Sequence, residues 1–237
     1  KGGAIYNKNI TNIIADESYV KFSNNTANGV ANDIYNEATL NMYAKEGKSI
    51  IVEGTVTDAD VRNGVLTIGG TYDDNGVETL YSGTVTLGSA VTQKEADINS
   101  GIVNFSSTVN ANAVNVNGGN ANFADSVTAS NTIVIASDAE ADFDGAVNTT
   151  TLTTSGVSTF DNTVTATDLN INDGTATFNG TVGTVTTTVS DGNANFNNTL
   201  NSTNMSNSGE VNIGASDLQI TNAVQNSNVL NLKAGTL

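Results

Sequence analysis

The sequence predicts an all-β fold, a right-handed parallel β-helix (a β-solenoid) of about 12 coils of roughly 18–20 residues each. Three observations predict it. Phenylalanine recurs at a nearly constant spacing, the residues around each Phe alternate with a period of two, and the composition favours short strands and tight turns.

The spacing is the primary signal. Phe105, Phe123, Phe143, Phe160, Phe178 and Phe196 are separated by 18, 20, 17, 18 and 18 residues. Four residues after each stands Val109, Val127, Val147, Val164, Val182 or Leu200, and four before each stands Gly101, Gly119, Ala139, Gly156, Gly174 or Gly192. Two before each is Val103, Ala121, Ala141, Ser158, Ala176 or Ala194.

The alternation gives each copy its shape. Residues two apart on a strand face the same way, so the small residue and the Phe point inward together. Turn residues follow the Phe, as in Asp144-Gly145 and Asn179-Gly180, and a second short strand such as Thr163-Val164-Thr165 comes next. A third strand carries pairs such as Val114/Val116 or Leu169/Ile171, and Asp173-Gly174 or Asp191-Gly192 turns into the next copy. Each copy alone buries nothing, whereas stacked copies place Phe on Phe. A helical period does not fit this pattern, and the apolar-Gly spacing of the left-handed hexapeptide helix is missing. With strands about 4.8 Å apart, the rod would be roughly 60 Å long.

Composition agrees. Thr and Val favour strands, Asn, Gly and Asp favour turns, and Leu and Met are scarce. The whole chain, residues 1–237, reads as a single solenoid: 1–95 as less regular, longer coils and 96–237 as regular ones. In the first part Ser49–Val52, Gly64–Ile68 and Gly83–Leu87 read as strands, and Asp73-Asp74-Asn75-Gly76 as a turn.

Charge and residue types exclude several functions. The 237 residues contain no Cys and no His, which removes thiolate metal sites and the commonest general base. The net charge of −16 repels phosphate backbones and anionic lipid, so no nucleic-acid partner and no membrane insertion are expected. No apolar run approaches the roughly 18 residues of a membrane-spanning helix. No basic segment followed by an apolar core appears at the start, and the chain is expected to be a piece whose export signals lie elsewhere.

The N-terminal third carries Gly2-Gly3-Ala4-Ile5, then Phe22-Ser23-Asn24-Asn25, then Asn32-Asp33-Ile34-Tyr35-Asn36 as a degenerate GGAIYN element. These resemble the GGAI and FxxN motifs of chlamydial polymorphic membrane proteins and related bacterial autotransporter passenger domains. The resemblance implies export through the outer membrane and display at the cell surface or outside the cell, often for adhesion. A translocator barrel would lie outside this chain.

Asp138-Ala139-Glu140-Ala141-Asp142-Phe143-Asp144 is the most singular local feature. With Ala139, Ala141 and Phe143 inward, Asp138, Glu140, Asp142 and Asp144 share one outward row, and Asp161 stands beside Asp144 in the next coil. The row reads first as a solvated acidic face, and Ca²⁺ or another hard cation is the one cofactor such oxygen-rich rows suit. As a glycosidase pair, Asp142 and Asp144 would have Cα atoms ~6–7 Å apart, yet no aromatic platform flanks them. Arg62, the single Arg, has no acidic cluster beside it to build a lyase. No catalytic set is found, and an enzyme is not expected. Asn117-Gly118-Gly119-Asn120 lacks the recurrence of a calcium nonapeptide, and Asn9-Ile10-Thr11 and Asn24-Asn25-Thr26 match a glycosylation pattern common in any Asn/Thr-rich chain.

Two outward ladders follow each Phe at three and five residues, for example Thr163 and Thr165. Such rows favour strand packing, and by analogy some ice-binding solenoids use them. The expected function is a structural, adhesive rod contacting glycans or proteins of a host or a neighbouring cell. The alternatives are a surface-layer or fibre solenoid associating end to end, a carbohydrate-active β-helix, and an ice-binding solenoid.

Overall fold

The computed structural model describes residues 2–59, 61–74, 77–214 and 217–233. Every regular element among them is a strand. The strands stack in parallel into a β-solenoid of about 11 turns. One sheet holds 11 strands, one per turn, running from Val20–Phe22 through Ser49–Val52, Thr84–Leu87 and Ile102–Phe105 to Val229–Leu232. A second sheet of 15 strands wraps the rest of each coil.

The turn count falls short of 12 because the first coils are long. Val20 pairs with Ile50, Ile50 with Val85 and Val85 with Val103, which are steps of 30, 35 and 18 residues. The extra residues leave the coil as antiparallel hairpins, Thr26–Ala27 with Val30–Ala31 and Gly70–Asp74 with Val77–Tyr81. Asn75 and Gly76, at the centre of the expected turn, lie outside the described residues; Asp74 pairs with Val77 on either side of them. The expected strands appear as Ser49–Val52, Val65–Ile68 and Thr84–Leu87.

The Phe residues form the predicted column. Successive rings from Phe105 to Phe196 lie 4.6–4.9 Å apart, centroid to centroid, and within 4–8° of parallel. That separation at near-zero tilt is an offset stack, a favoured aromatic geometry. Strand register extends the column beyond the six Phe: Phe22, Val52 and Leu87 stand on one side and Ile213 and Leu232 on the other. The adjacent inward column compensates for volume. Beside the rings from Phe123 to Phe196 it holds Ala121, Ala141, Ser158, Ala176 or Ala194, whereas beside Phe105, Val52, Leu87 and Ile213 it holds Val103, Ile50, Val85 and Val211. Large against small fills the interior at native density. The turn into each strand is equally tight: Gly119 has φ 75°, and a Cβ there would meet the Gly101 carbonyl at 2.4 Å.

One sequence expectation is corrected. The second and third strands of a regular coil are a single strand. Val109–Val116 pairs with both Val91–Thr92 and Glu95–Ile98 of the coil before it. Inward residues run Val109, Ala111, then Val114, Val116, so the alternation changes phase where Asn112 and Ala113 both leave the core. The chain bends there without breaking its ladder, because consecutive outward residues turn a strand around a corner.

Candidate binding surface

The carboxylate row lies where the sequence places it. Ala139, Ala141 and Phe143 are buried, Asp138, Glu140 and Asp144 are exposed, and Asp142 is half-buried. Alternate residues of one strand stand ~6.6 Å apart at Cα. Their lateral neighbours are not acidic. Glu140 sits between Asn120 and Val157, and Asp142 between Asn122 and Thr159. Asp144 and Asp161 alone come together, since Asp161 follows the Phe160 that pairs with Phe143. Asp161 Oδ1 accepts from Asn179 Nδ2 at 2.7 Å, and Asn179 Oδ1 accepts from Asn197 Nδ2 at 2.8 Å, extending an amide ladder rather than a chelate. Among the described residues no three His, Cys, Asp or Glu gather as a metal-holding group.

The N-terminal motifs prove to be partners in one assembly. Ile5-Tyr6-Asn7 stacks in register on Ile34-Tyr35-Asn36, so the two GGAIYN-like elements occupy the same place in successive coils. Asn7 Nδ2 donates to Asn36 Oδ1 at 2.7 Å, and Asn36 Nδ2 donates to Gln93 Oε1 at 2.6 Å, all three residues being buried. Asn25, the last residue of the FxxN element, donates through Nδ2 to Asp33 Oδ1 at 2.8 Å. Asp33 is fully buried, and its Oδ2 accepts from the Gly54 amide at 2.6 Å. A buried carboxylate is tolerated only with such donors.

These residues define an inward corner column that register carries through the molecule. Val56 and Thr57 pair with Ile34 and Tyr35, so the following Asp58 continues the position of Asn36. Asp58 Oδ2 accepts the amides of Arg62, Asn63 and Gly64 at 2.7–2.9 Å. Burial pushes this carboxyl up, but the amides of Asn63, Gly64, Arg62 and Ala59 outweigh it and hold it below the ordinary value of 3.8. Further along, the column becomes Ala111, Ala129, Thr149, Ala166 and Ser202. Amide and carboxylate side chains therefore mark coils that turn sharply or carry a loop at this corner, because they satisfy the loop amides. The hydroxyls of Thr149 and Ser202 instead donate to strand carbonyls. Small residues mark the coils whose strand runs straight through.

Where the column is small, a trough opens on the outer face. Thr128, Asn148 and Thr165 form one wall, Ser130, Thr150 and Thr167 the other, and the backbone of Ala129, Thr149 and Ala166 the floor, enclosing about 320 Å³. A second depression of about 210 Å³ follows on the same rows, with Asn201, Ser202, Thr203, Gln219 and Thr221 among its lining. The register Thr165–Gly183–Asn201–Gln219 joins the two. The double row thus stands five and seven residues after each Phe from Phe123 to Phe196. The row at three residues belongs to the turn before the strand, as the start of Val164–Ile171 after Thr163 shows.

The wall that ends at Gln219 begins among tyrosines. Following the register back through Asn110, Thr92 and Thr57 leads to Tyr35 and Tyr6. Their rings meet edge to face at 5.6 Å, Lys8 Nζ stands 5.1 Å from the Tyr6 ring centre, and Tyr6 Oη donates to Glu37 at 2.7 Å. Tyr43, Tyr72 and Tyr81 form a separate cluster, 5.0–6.5 Å apart, that seats the 70–81 hairpin on the coil. No protein-family model, curated protein or solved structure matches this chain.

Proposed function

We propose that this chain is a stretch of the passenger rod of a bacterial autotransporter, non-enzymatic, displayed outside the cell, and both structural and adhesive. The observation that supports this reading most is the stacking of the motif copies. Ile5-Tyr6-Asn7 and Ile34-Tyr35-Asn36 fall in register, and Asn25 of the FxxN element holds Asp33 of the next GGAI-like element. Paired motifs that serve as the joints between coils are what a repetitive passenger requires. The outer surface fits adhesion: its long rows of Thr, Asn and Ser stand on a solenoid whose interior is fixed, so little ordering cost attends contact. The carboxylates of the acidic row stand in a line, and only Asp144 has another, Asp161, beside it.

Two measurements on the producing bacterium test the reading. Antibodies raised against residues 102–213 should label intact cells, and protease added to intact cells should remove the signal. Beads coated with the purified chain should attach to host or neighbouring cells, and attachment should persist in chelator. An epitope reached only after lysis would sink the passenger assignment, and beads that never attach would sink adhesion.

A further inference from the structure

We infer that the trough along the Thr128–Thr221 rows is a binding site for a linear, uncharged or amine-bearing glycan lying parallel to the rod axis; this rests on the adhesive reading above. The groups lining the first depression are hydroxyls and one amide, apart from the alanines of its floor. Each hydroxyl and amide both donates and accepts, so the matching ligand must offer donors and acceptors together along its length. A polyol chain does so.

The shape selects an elongated ligand. Both depressions sit on the same two rows, which repeat once per coil, at the 4.6–4.9 Å rise read from the Phe column. The coil between them offers Gly183 and the exposed Val185, against which an apolar ring face can lie. The strands beneath are in the middle of a sheet, with their backbone groups already paired to the coils above and below. A peptide adding itself as an extra strand finds no free edge there. Threonine, stiff at χ1, presents its hydroxyl with little entropy left to lose.

Charge selects the class. Residues 95–237 carry 13 acidic groups and 1 basic one, so sulfated or uronate chains are repelled while neutral and aminated chains are not. The same wall leads back to Tyr35 and to Tyr6, which is 42% exposed. An aromatic face is the usual partner of a sugar ring's apolar face, since it is flat, large and amphipathic. A chain long enough to reach from Thr128 to Tyr35 would gain that contact.

The test uses cello-oligosaccharides and chitosan oligomers of increasing length, with heparin as the sulfated comparator, in calorimetric titrations of the whole chain. Affinity should rise with length for the first two and be absent for heparin. The double variant Thr165→Val/Thr167→Val, which removes two exposed hydroxyls, should weaken binding about tenfold or more at an unchanged melting temperature. The matched variant Thr159→Val/Thr177→Val, on the other sheet, should bind as the parent does. Equal loss in both variants, retention in the trough variant, or binding of heparin alone would each overturn the assignment. Silence toward every sugar, while coated beads still attach to cells, would overturn the glycan and leave adhesion standing. Thermal hysteresis together with that silence would give the rows to ice instead. Beads that fail to attach would remove the reading beneath.

Discussion

The coils up to residue 94 and those after it share every inward column, yet they solve the same corner in opposite ways. In the early coils Asn7, Asn36 and Asp58 turn their polar ends to loop and turn amides and the strand breaks there, while the two hairpins leave the coil at its other corners, after Phe22 and after Ile68. In the later coils Ala111, Ala129 and Ala166 let the strand pass the corner unbroken. Aromatic residues divide in the same way. All 6 Tyr lie between residues 6 and 81, whereas 6 of the 7 Phe are stacked inside between 105 and 196. Basic residues divide too, 7 of 8 falling within 1–94. A solenoid can thus keep one interior and still assign irregularity, exposed rings and mixed charge to one end and largely polar rows to the other. The inward columns fix the stacking, and the residue at this corner marks whether the strand breaks or runs through it.

The largest test of this contrast is in the core. Phe160→Ala should cost about 3–5 kcal/mol, from lost burial and an unfilled cavity, and it also severs two ring stacks. Leu87→Ala, in the same column but outside the stack, should cost about 2–5 kcal/mol and spare the stacking. Urea unfolding of both variants, followed by hydrogen-exchange mapping, should show the first loosening the later coils and the second the earlier ones. Identical effects on both halves would mean that the column is one cooperative block and that the division is only chemical.

Asp58→Ala should have a smaller and local effect. It strands amides that now end on one carboxylate, at about 1–3 kcal/mol. Hydrogen exchange should quicken in residues 56–68 and stay unchanged beyond 120. The acid response has a definite sign. A carboxyl held below its ordinary 3.8 stabilises the fold above that value, and the stabilisation drains away as pH falls through the lower folded value. Acidification below about 3.8 should therefore open residues 56–68 in the parent and change little there in Asp58→Asn. Uniform opening along the rod would refute a local role.

The smallest effect should come from the acidic row. Asp142→Asn removes a charge flanked by Asn122 and Thr159, and should alter stability by no more than about 0.5 kcal/mol. Calcium titration followed by melting temperature should give the same flat line for parent and variant. A calcium-dependent rise in the parent that vanishes in Asp142→Asn would show that the row binds the ion after all.

Much of this architecture was legible because one large residue repeats. Phe105 to Phe196 stand out, and their alternating neighbours give inward and outward faces directly. The same column was invisible at Val52 and Leu87, where the residue changes identity and coil steps lengthen to 30 and 35 residues. The joining of the second and third strands through Asn112 was not legible, since Asn favours turns, and the strand passes that corner beside the small Ala111. The linear carboxylate row followed from period two alone. The trough did not, because choosing the rows five and seven residues after the Phe requires knowing where the strand begins. The Asn7–Asn36 and Asn25–Asp33 pairings had a signal in the repeated Ile-Tyr-Asn, but only register shows them touching.

The direction of the hydrogen bonds carries a mechanical consequence. In a solenoid the interstrand bonds point along the rod, and each coil is bonded only to its two neighbours. Tension applied between the ends therefore loads the coils in series, so the weakest joint yields first and shields the others. Transverse shear instead meets the whole width of both sheets at once. Such a rod would pay out length under a pull, one coil at a time, while resisting bending.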